Sequence, residues 1–159
     1  MAIYIQIADL PGNVTESGHT KWIEINSFRF GCGRGIASRM PGNTENREAA
    51  TVSISEISFS KEMDETSPKL FTLACVGTGK VVKIDFCRTG ATPLVFASFE
   101  LTDTLISSYS IDGNSTGTPY ESISLNFSKI QYKYTPYKSD GTAGSPIAAT
   151  YDLSTAKSS

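Results

Sequence analysis

The sequence predicts a mainly β fold, a small antiparallel β-barrel or pair of packed sheets with one short α-helix. Apolar and polar residues alternate with a period of two in several segments, which is typical of half-buried strands. Helical spacing and helix-end signals occur together in the segment 64–80. About seven strands and one helix fit a closed or nearly closed barrel or a two-layer sandwich, and the pattern leaves both open. The 159 residues predict one domain, 1–159, without an internal repeat.

The first two predicted strands differ in how many apolar faces they present. Isoleucine occupies positions 3, 5 and 7, so the first strand is half-buried. The second strand, 22–30, has apolar residues on both faces, with Ile23 and Ile25 on one side and the aromatic residues Trp22, Phe28 and Phe30 on the other. We expect the aromatic side to face the interior. Either a second sheet or a neighbouring subunit must then cover the isoleucine side, and the sequence leaves both possibilities open.

The later strands follow the same alternation. Apolar residues at 52 and 54 change phase to 57 and 59, which indicates a bulge or a change of neighbouring strand. Further strands are predicted at 80–89, 94–109, 121–135 and, with a weaker pattern, 147–153.

The helix prediction depends on its end signals. Ser67 is a favourable N-cap, Pro68 tolerates the missing N–H of a first helical residue, and Gly77 or Gly79 supplies the stop. Apolar residues at three- and four-residue spacings predict that the helix docks on a sheet: Leu70, Phe71, Leu73 and Ala74.

Charge and hydropathy exclude two classes of partner. The formal net charge is −2 and no Lys/Arg cluster occurs, which argues against nucleic-acid binding. The longest apolar runs, LFTLACVG and LVFASFEL, are far shorter than the ~20 residues of a membrane span. The start, MAIYIQIADL, alternates and lacks a basic n-region, so we expect neither membrane insertion nor a cleavable signal peptide.

No motif predicts catalytic, cofactor or metal chemistry, so the chain is predicted not to be an enzyme and to use no cofactor. The single histidine, His19, lies in a polar turn and is expected to be solvated. The cysteines are three in number without C-x-x-C spacing, which fits free thiols in a reducing compartment. Carboxylates at 62, 64 and 65 precede the helix, where they meet the positive end of its dipole.

The segment 31–49 is predicted to be a long polar connection that begins with a glycine-rich hinge, GCGRG. It lacks the GK[ST] ending of a phosphate-binding loop. Charges of both signs make it a candidate contact loop between subunits or rings: Arg34, Arg39, Glu45, Arg47 and Glu48.

Several stretches in a fixed order resemble the haemolysin-coregulated protein (Hcp) family of bacterial type VI secretion. They are KWIEINSFRFGCGRGIAS, NREAATVSISEI, TSPKLF, KVVKIDFCRTG, LISSYSI, ESISLNFSKIQYKY and DGTAGSPIAATYDLSTAK. The resemblance covers nearly the whole chain, and its departures, chiefly at 112–120, are confined to loops.

The resemblance implies a small β-barrel that assembles into hexameric rings with a wide channel. Rings of this kind stack into a tube inside a contractile sheath, carry effectors in the lumen, and are expelled behind a spike protein into a neighbouring cell. The resemblance therefore implies a homo-oligomer that leaves the bacterial cytoplasm when the sheath contracts.

Strand alternation then predicts which residues face the channel. If Trp22, Phe28 and Phe30 point inward, Ser27 and Arg29 lie on the opposite, lumenal face. The same logic places the neighbouring serines of the next strand outward: Ser53 and Ser55.

Two other functions remain open at this point. A monomeric β-barrel could bind a ligand inside, which its size in solution would reveal. An enzyme could use His19 or the carboxylates at 62–65, which would then have to converge on one cavity.

Overall fold

The computed structural model describes residues 1–35, 52–90 and 93–159. Within these residues the chain forms twelve strands and one helix, α1 (Ser67–Val76). The strands are β1 (Ala2–Ile7), β2 (Ile23–Ile25), β3 (Ser27–Arg29), β4 (Cys32–Arg34), β5 (Val52–Ile54), β6 (Ile57–Glu62), β7 (Lys80–Arg88), β8 (Leu94–Asp112), β9 (Tyr120–Asn126), β10 (Lys129–Tyr134), β11 (Ile147–Asp152) and β12 (Lys157–Ser158).

Two antiparallel sheets share strand β8. The seven-stranded sheet has the order β12-β11-β10-β8-β7-β1-β2, and the four-stranded sheet has the order β3-β6-β9-β8. The prediction of a mainly β fold with two sheets and one helix is confirmed. The predicted barrel is not closed in the described residues, because β2 and β12, at the two ends of the order, are not paired with each other. Strand β2 leads into β3 of the other sheet instead of pairing with the far edge.

The chain changes sheets at Asn26, and this bend explains the two apolar faces of the second predicted strand. Before it, Ile23 and Ile25 pair with β1 and are buried in the core. At the bend, the Asn26 N–H donates to the Ser60 carbonyl at 2.7 Å. After it, Phe28 packs into the same core from the other sheet. The second sheet of the same chain, and not a neighbouring subunit, therefore covers the isoleucines.

The bend also corrects the prediction for Trp22. Phe28 and Phe30 pack against the core as expected, but Trp22 lies edge-on against the ring of His19, with 4.7 Å between the ring centroids. Continuous alternation would have placed the three aromatic residues together. The phase of the strand changes at Asn26, so Trp22 lies on the side opposite to Ile23 and outside the core.

An aromatic cluster fills the space where the two sheets cross. Phe28 contacts Phe86 and Phe99, with centroid distances of 5.0 and 5.1 Å. Tyr132 of β10 stacks on Phe99 at 4.6 Å. The remaining core consists of aliphatic rows across neighbouring strands, such as Ile5 and Ile84 in direct register. Burial of these apolar faces is the main stabilising contribution to the fold.

Several element boundaries differ from the predictions. The phase change after residue 54 is confirmed, since β5 and β6 belong to different sheets. The predicted strand 121–135 is two strands, which break at Phe127 and Ser128 where the chain passes from one sheet to the other. Strands β4 and β12 were not predicted, because three and two residues are too few to show a period.

The helix begins one residue earlier than the cap prediction implied. Thr66 is the N-cap, and Ser67 is the first helical residue, whose Oγ accepts from the Asp64 N–H at 2.9 Å. The predicted stop at Gly77 is confirmed, with its N–H donating to the Leu73 carbonyl. Leu70 is fully buried and docks the helix on β8 and the core.

Candidate functional site

The outer face of the four-stranded sheet carries hydroxyl groups in two rows across its strands. Residues in direct register point to the same face, so the β pairings define each row. One row is Ser27, Ser60, Ser122 and Ser110, and the other is Arg29, Ser58, Ser124 and Ser108. We call the seven serines of these rows the serine face. The opposite side of the same sheet carries Phe59 and Ile123, which are buried in the core.

Hydroxyl contacts tie neighbouring strands of the serine face together. The Ser27 and Ser60 oxygens are 2.5 Å apart, and those of Ser58 and Ser124 are 3.2 Å apart. A hydroxyl both donates and accepts, so these groups bind each other or any polar partner without needing a charge. Arg29 is the only charged side chain in the two rows. The serine face is therefore a polar, almost neutral surface.

A recess of about 670 Å³ opens beside the serine face, where the β4–β5 pair leaves the sheets. Its lining includes Arg29, Ser53, Ser55 and Glu56. The Ser55 hydroxyl accepts from the Gly31 N–H at 2.9 Å and donates to the Gly31 carbonyl at 2.7 Å. These two bonds fix the β4–β5 pair where it leaves the end of β3.

The carboxylates at the two ends of β6, Glu56 directly before the strand and Glu62 at its last position, are also held by hydrogen bonds. Glu56 accepts from the Ser107 hydroxyl at 2.7 Å and from the Asn126 side chain at 3.3 Å. At the other end, Tyr120 donates to Glu62 at 3.2 Å, and this bond raises the pKa of the Tyr120 phenol. The charges at these margins are positioned by neighbouring side chains.

The structure places the predicted channel residues on adjoining surfaces. Ser27 and Arg29 are exposed on the serine face, and Ser53 and Ser55 are exposed beside it. Of the predicted contact loop, Arg34 is exposed on β4. Arg39, Glu45, Arg47 and Glu48 lie outside the described residues.

Sequence reasoning missed most of the serine face. A signal was present, since serine recurs at every second position in SFS (58–60), SYS (108–110) and SIS (122–124). Only the pairing register shows that these three segments lie side by side with the same face outward.

A buried ion pair lies beneath the serine face. Lys61 Nζ is 2.9 Å from Glu121 Oε2, and both side chains are almost completely buried. Lys61 also donates to Asp64 at 3.0 Å, and Tyr109 donates to the other Glu121 oxygen at 2.5 Å. Burial and the bond to Glu121 raise the pKa of Tyr109 far above its ordinary value, so Tyr109 remains a donor. This network connects the four-stranded sheet to the start of α1.

His19 is buried, so the prediction that it is solvated is wrong. Its turn folds over the outer face of the seven-stranded sheet, where the ring stacks on Tyr4. Nδ1 lies 2.5 Å from a Glu16 oxygen, and Nε2 lies 2.9 Å from an Asp85 oxygen. Both ring nitrogens of His19 are therefore engaged by carboxylates of the same chain.

The surroundings of His19 do not resemble an activated nucleophile. Cys87 Sγ lies 3.8 Å from Nε2, but that nitrogen is already engaged by Asp85. Burial, together with Asp85 and Glu16, raises the pKa of the Cys87 thiol to about 11, whereas a nucleophilic cysteine needs a lowered pKa. Asp64, one of the carboxylates at 62–65, binds Lys61 and Thr66 and not His19.

A pocket between the two sheets is too small to hold a ligand. It is lined by Ile7, Val82 and Leu125 among others and has a volume of about 10 Å³, which is room for about one water molecule. Among the described residues, no group of three or more His, Cys, Asp or Glu side chains is arranged to hold a metal ion. In that same part of the chain, no helix has the length and apolar character needed to cross a bilayer.

Comparisons with known proteins agree on one family. Residues 4–134 match the family described as "Type VI secretion system effector, Hcp". Protein hcp1 of Pseudomonas aeruginosa is 28% identical over 157 residues, which cover 95% of this chain and 94% of that protein. A solved structure described as a type six secretion system protein is 26% identical with a TM-score of 0.91, covering 99% of both chains. The fold of Hcp1 from Salmonella typhimurium is also similar, with 22% identity, a TM-score of 0.77, and coverage of 99% of this chain and 98% of that chain.

The buried ion pair gives a stability prediction. Lys61→Met leaves the Glu121 carboxylate buried without a counter-charge. We therefore expect the free energy of unfolding to fall by about 3–5 kcal/mol. Urea unfolding followed by circular dichroism at matched protein concentration measures the change. The control is Lys61→Met combined with Glu121→Leu, which removes both charges and should recover most of the loss. A loss below about 1 kcal/mol for the single variant would contradict the role given to the pair.

Asp64 gives a pH prediction. Burial alone would raise its pKa, but hydrogen bonds from Thr66 and Lys61 outweigh burial and lower the pKa below its ordinary value of 3.8. A carboxyl with a lowered folded pKa stabilises the fold above its unfolded pKa, and this stability is lost as pH falls through the folded pKa. We therefore expect the stability of the unmodified chain to fall more steeply below about pH 4 than that of Asp64→Asn. Equal slopes in acid-unfolding curves would show that Asp64 makes no such contribution.

Proposed function

This chain belongs to the Hcp family of type VI secretion, and we propose that it is the structural subunit of the inner tube of such a system. In this proposal six copies form a ring, and rings stack into a tube within a contractile sheath. The tube carries effectors in its channel. Contraction of the sheath expels the tube behind a spike protein, so the chain leaves the cytoplasm when the sheath contracts.

The serine face is the observation that supports this role most directly. A channel that holds varied cargo and moves as a unit needs a wall that is wetted but that binds no single ligand strongly. Neutral hydroxyls meet both needs, because they exchange hydrogen bonds with water and attract neither sign of charge. With the serine face turned inward, Ser27 and Arg29 line the channel, and the recess holding Ser53 and Ser55 opens beside it.

The unpaired edges of the four-stranded sheet support the proposal that copies of the chain assemble. In the described residues, β3 pairs with β6 alone, and the second half of β8 pairs with β9 alone. Unpaired strand edges can pair with strands of other chains and cause aggregation unless another surface covers them. Contacts that join one edge to the opposite edge of the next copy close into a ring when the rotation per copy is suitable. A ring would therefore protect both edges.

The oligomer is the first test. We expect sedimentation velocity to show a species of six times the 17.1 kDa chain mass, and electron micrographs to show rings with an open centre. A chain that stays monomeric at all concentrations tested would contradict the proposed function and favour a monomeric binding protein.

The lumenal position of Arg29 is the second test. Arg29 is exposed on the serine face, so Arg29→Glu should leave folding unchanged while changing which effectors the ring retains. Co-purification of a panel of secreted effectors with each ring measures retention. The matched control is Lys83→Glu, the same charge reversal at an exposed position on the seven-stranded sheet. Identical retention by the unmodified, Arg29→Glu and Lys83→Glu rings would argue against a lumenal Arg29.

A further inference from the structure

One buried hydroxyl in the core stands apart from the polar network around Lys61. Thr104 of β8 is 4% exposed, and among the described residues its Oγ1 has no hydrogen-bond partner. A hydroxyl that is removed from water without a new partner destabilises the fold. Buried hydroxyls are therefore normally bonded either to another protein group or to an ordered water molecule.

A β-bulge explains why this polar side chain lies inside. On β7, Lys80 is opposite Thr104. Two residues further along β7, Val82 is opposite Leu101, which is three residues back on β8, so β8 carries one extra residue here. Asp103 lies within the bulge and has a φ of 52°, in the left-handed region.

The extra residue reverses the phase of the strand. Leu101 is fully buried, and regular alternation over three residues would place Thr104 on the outer face. With the bulge, Thr104 lies inside instead. It is also the last residue of β8 that pairs with β7, directly before the strand passes to its pairing with β9.

Thr104 lines the small pocket between the two sheets, whose volume is about 10 Å³. This volume fits one water molecule and nothing larger. Most of the wall is apolar and comes from residues such as Ile7, Val82 and Leu125. The end of α1 also reaches the pocket through Gly77, which contributes only backbone atoms because glycine has no side chain. Backbone groups at a helix end lack partners within the helix, so polar groups of two different elements lie on this wall.

We propose that this pocket is a binding site for one structural water molecule, held by the Thr104 hydroxyl and by the backbone at the end of α1. A hydroxyl both donates and accepts, so it can satisfy either orientation of the water. A buried water makes about three hydrogen bonds to groups that would otherwise be unpaired, and it is costly to remove. In this arrangement the water bridges the bulge of β8 to the end of the helix. The inference concerns a single copy of the chain and does not depend on the proposed ring.

A crystal structure at a resolution that shows ordered water is the direct test. We expect density for one water within hydrogen-bond distance of Thr104 Oγ1. The same density should be lost in Thr104→Val, in which a methyl group replaces the hydroxyl with little change of shape. A pocket without density in the unmodified chain would overturn the proposal, and so would a Thr104 hydroxyl bonded directly to a protein group.

The sign of the stability change is an independent test. If the water is bound, Thr104→Val removes one of its partners and leaves backbone groups at the helix end unpaired. We therefore expect the equilibrium constant for unfolding to rise about fivefold. If the hydroxyl is unsatisfied instead, replacing it by a methyl group removes a destabilising group, and the constant falls.

Urea unfolding followed by circular dichroism at matched protein concentration measures this constant. The matched control is Thr102→Val, the same exchange at an exposed position of β8, which should change the constant by about twofold at most. A constant for Thr104→Val that is lower than that of the unmodified chain, or no higher than that of Thr102→Val, would overturn the proposal.

Discussion

The surfaces of this molecule depend on one strand that belongs to both sheets. Strand β8 is nineteen residues long, and its first half pairs with β7 and β10 while its second half pairs with β9. Because the backbone is continuous, the two sheets must fold over one another along this strand. The bend at Asn26 supplies a second connection between them. Each sheet therefore has one face in a common core and one face free for other uses.

The two free faces differ in chemistry, and this difference fits a wall with an inside and an outside. The free face of the four-stranded sheet carries the serine face. The free face of the seven-stranded sheet carries charges of both signs, such as Lys83 and Glu100 in direct register. Mixed charges favour solubility, while neutral hydroxyls suit the proposed channel wall, because they repel neither sign of charge. Alternation along the strands allows one chain to present both surfaces.

The buried ion pair connects the four-stranded sheet to the start of α1. Lys61 and Glu121 lie on the core side of the four-stranded sheet, and Lys61 also binds Asp64 just before α1. A buried pair of this kind adds little net stability, but removing one partner is costly, so it favours a single arrangement of the groups around it. Through Asp64, the pair links the start of the helix to the sheet that carries the serine face.

The sequence by itself determined the mainly β class, the helix, most strands and the family, because alternation, end signals and ordered motifs are local properties of the chain. It also placed Ser27 and Arg29 opposite the aromatic side of their strand. Only the tertiary structure decided what covers Ile23, where His19 lies, and which serines stand side by side. These depend on the bend at Asn26 and on the pairing register between distant segments, and alternation within one segment carries no information on its neighbour.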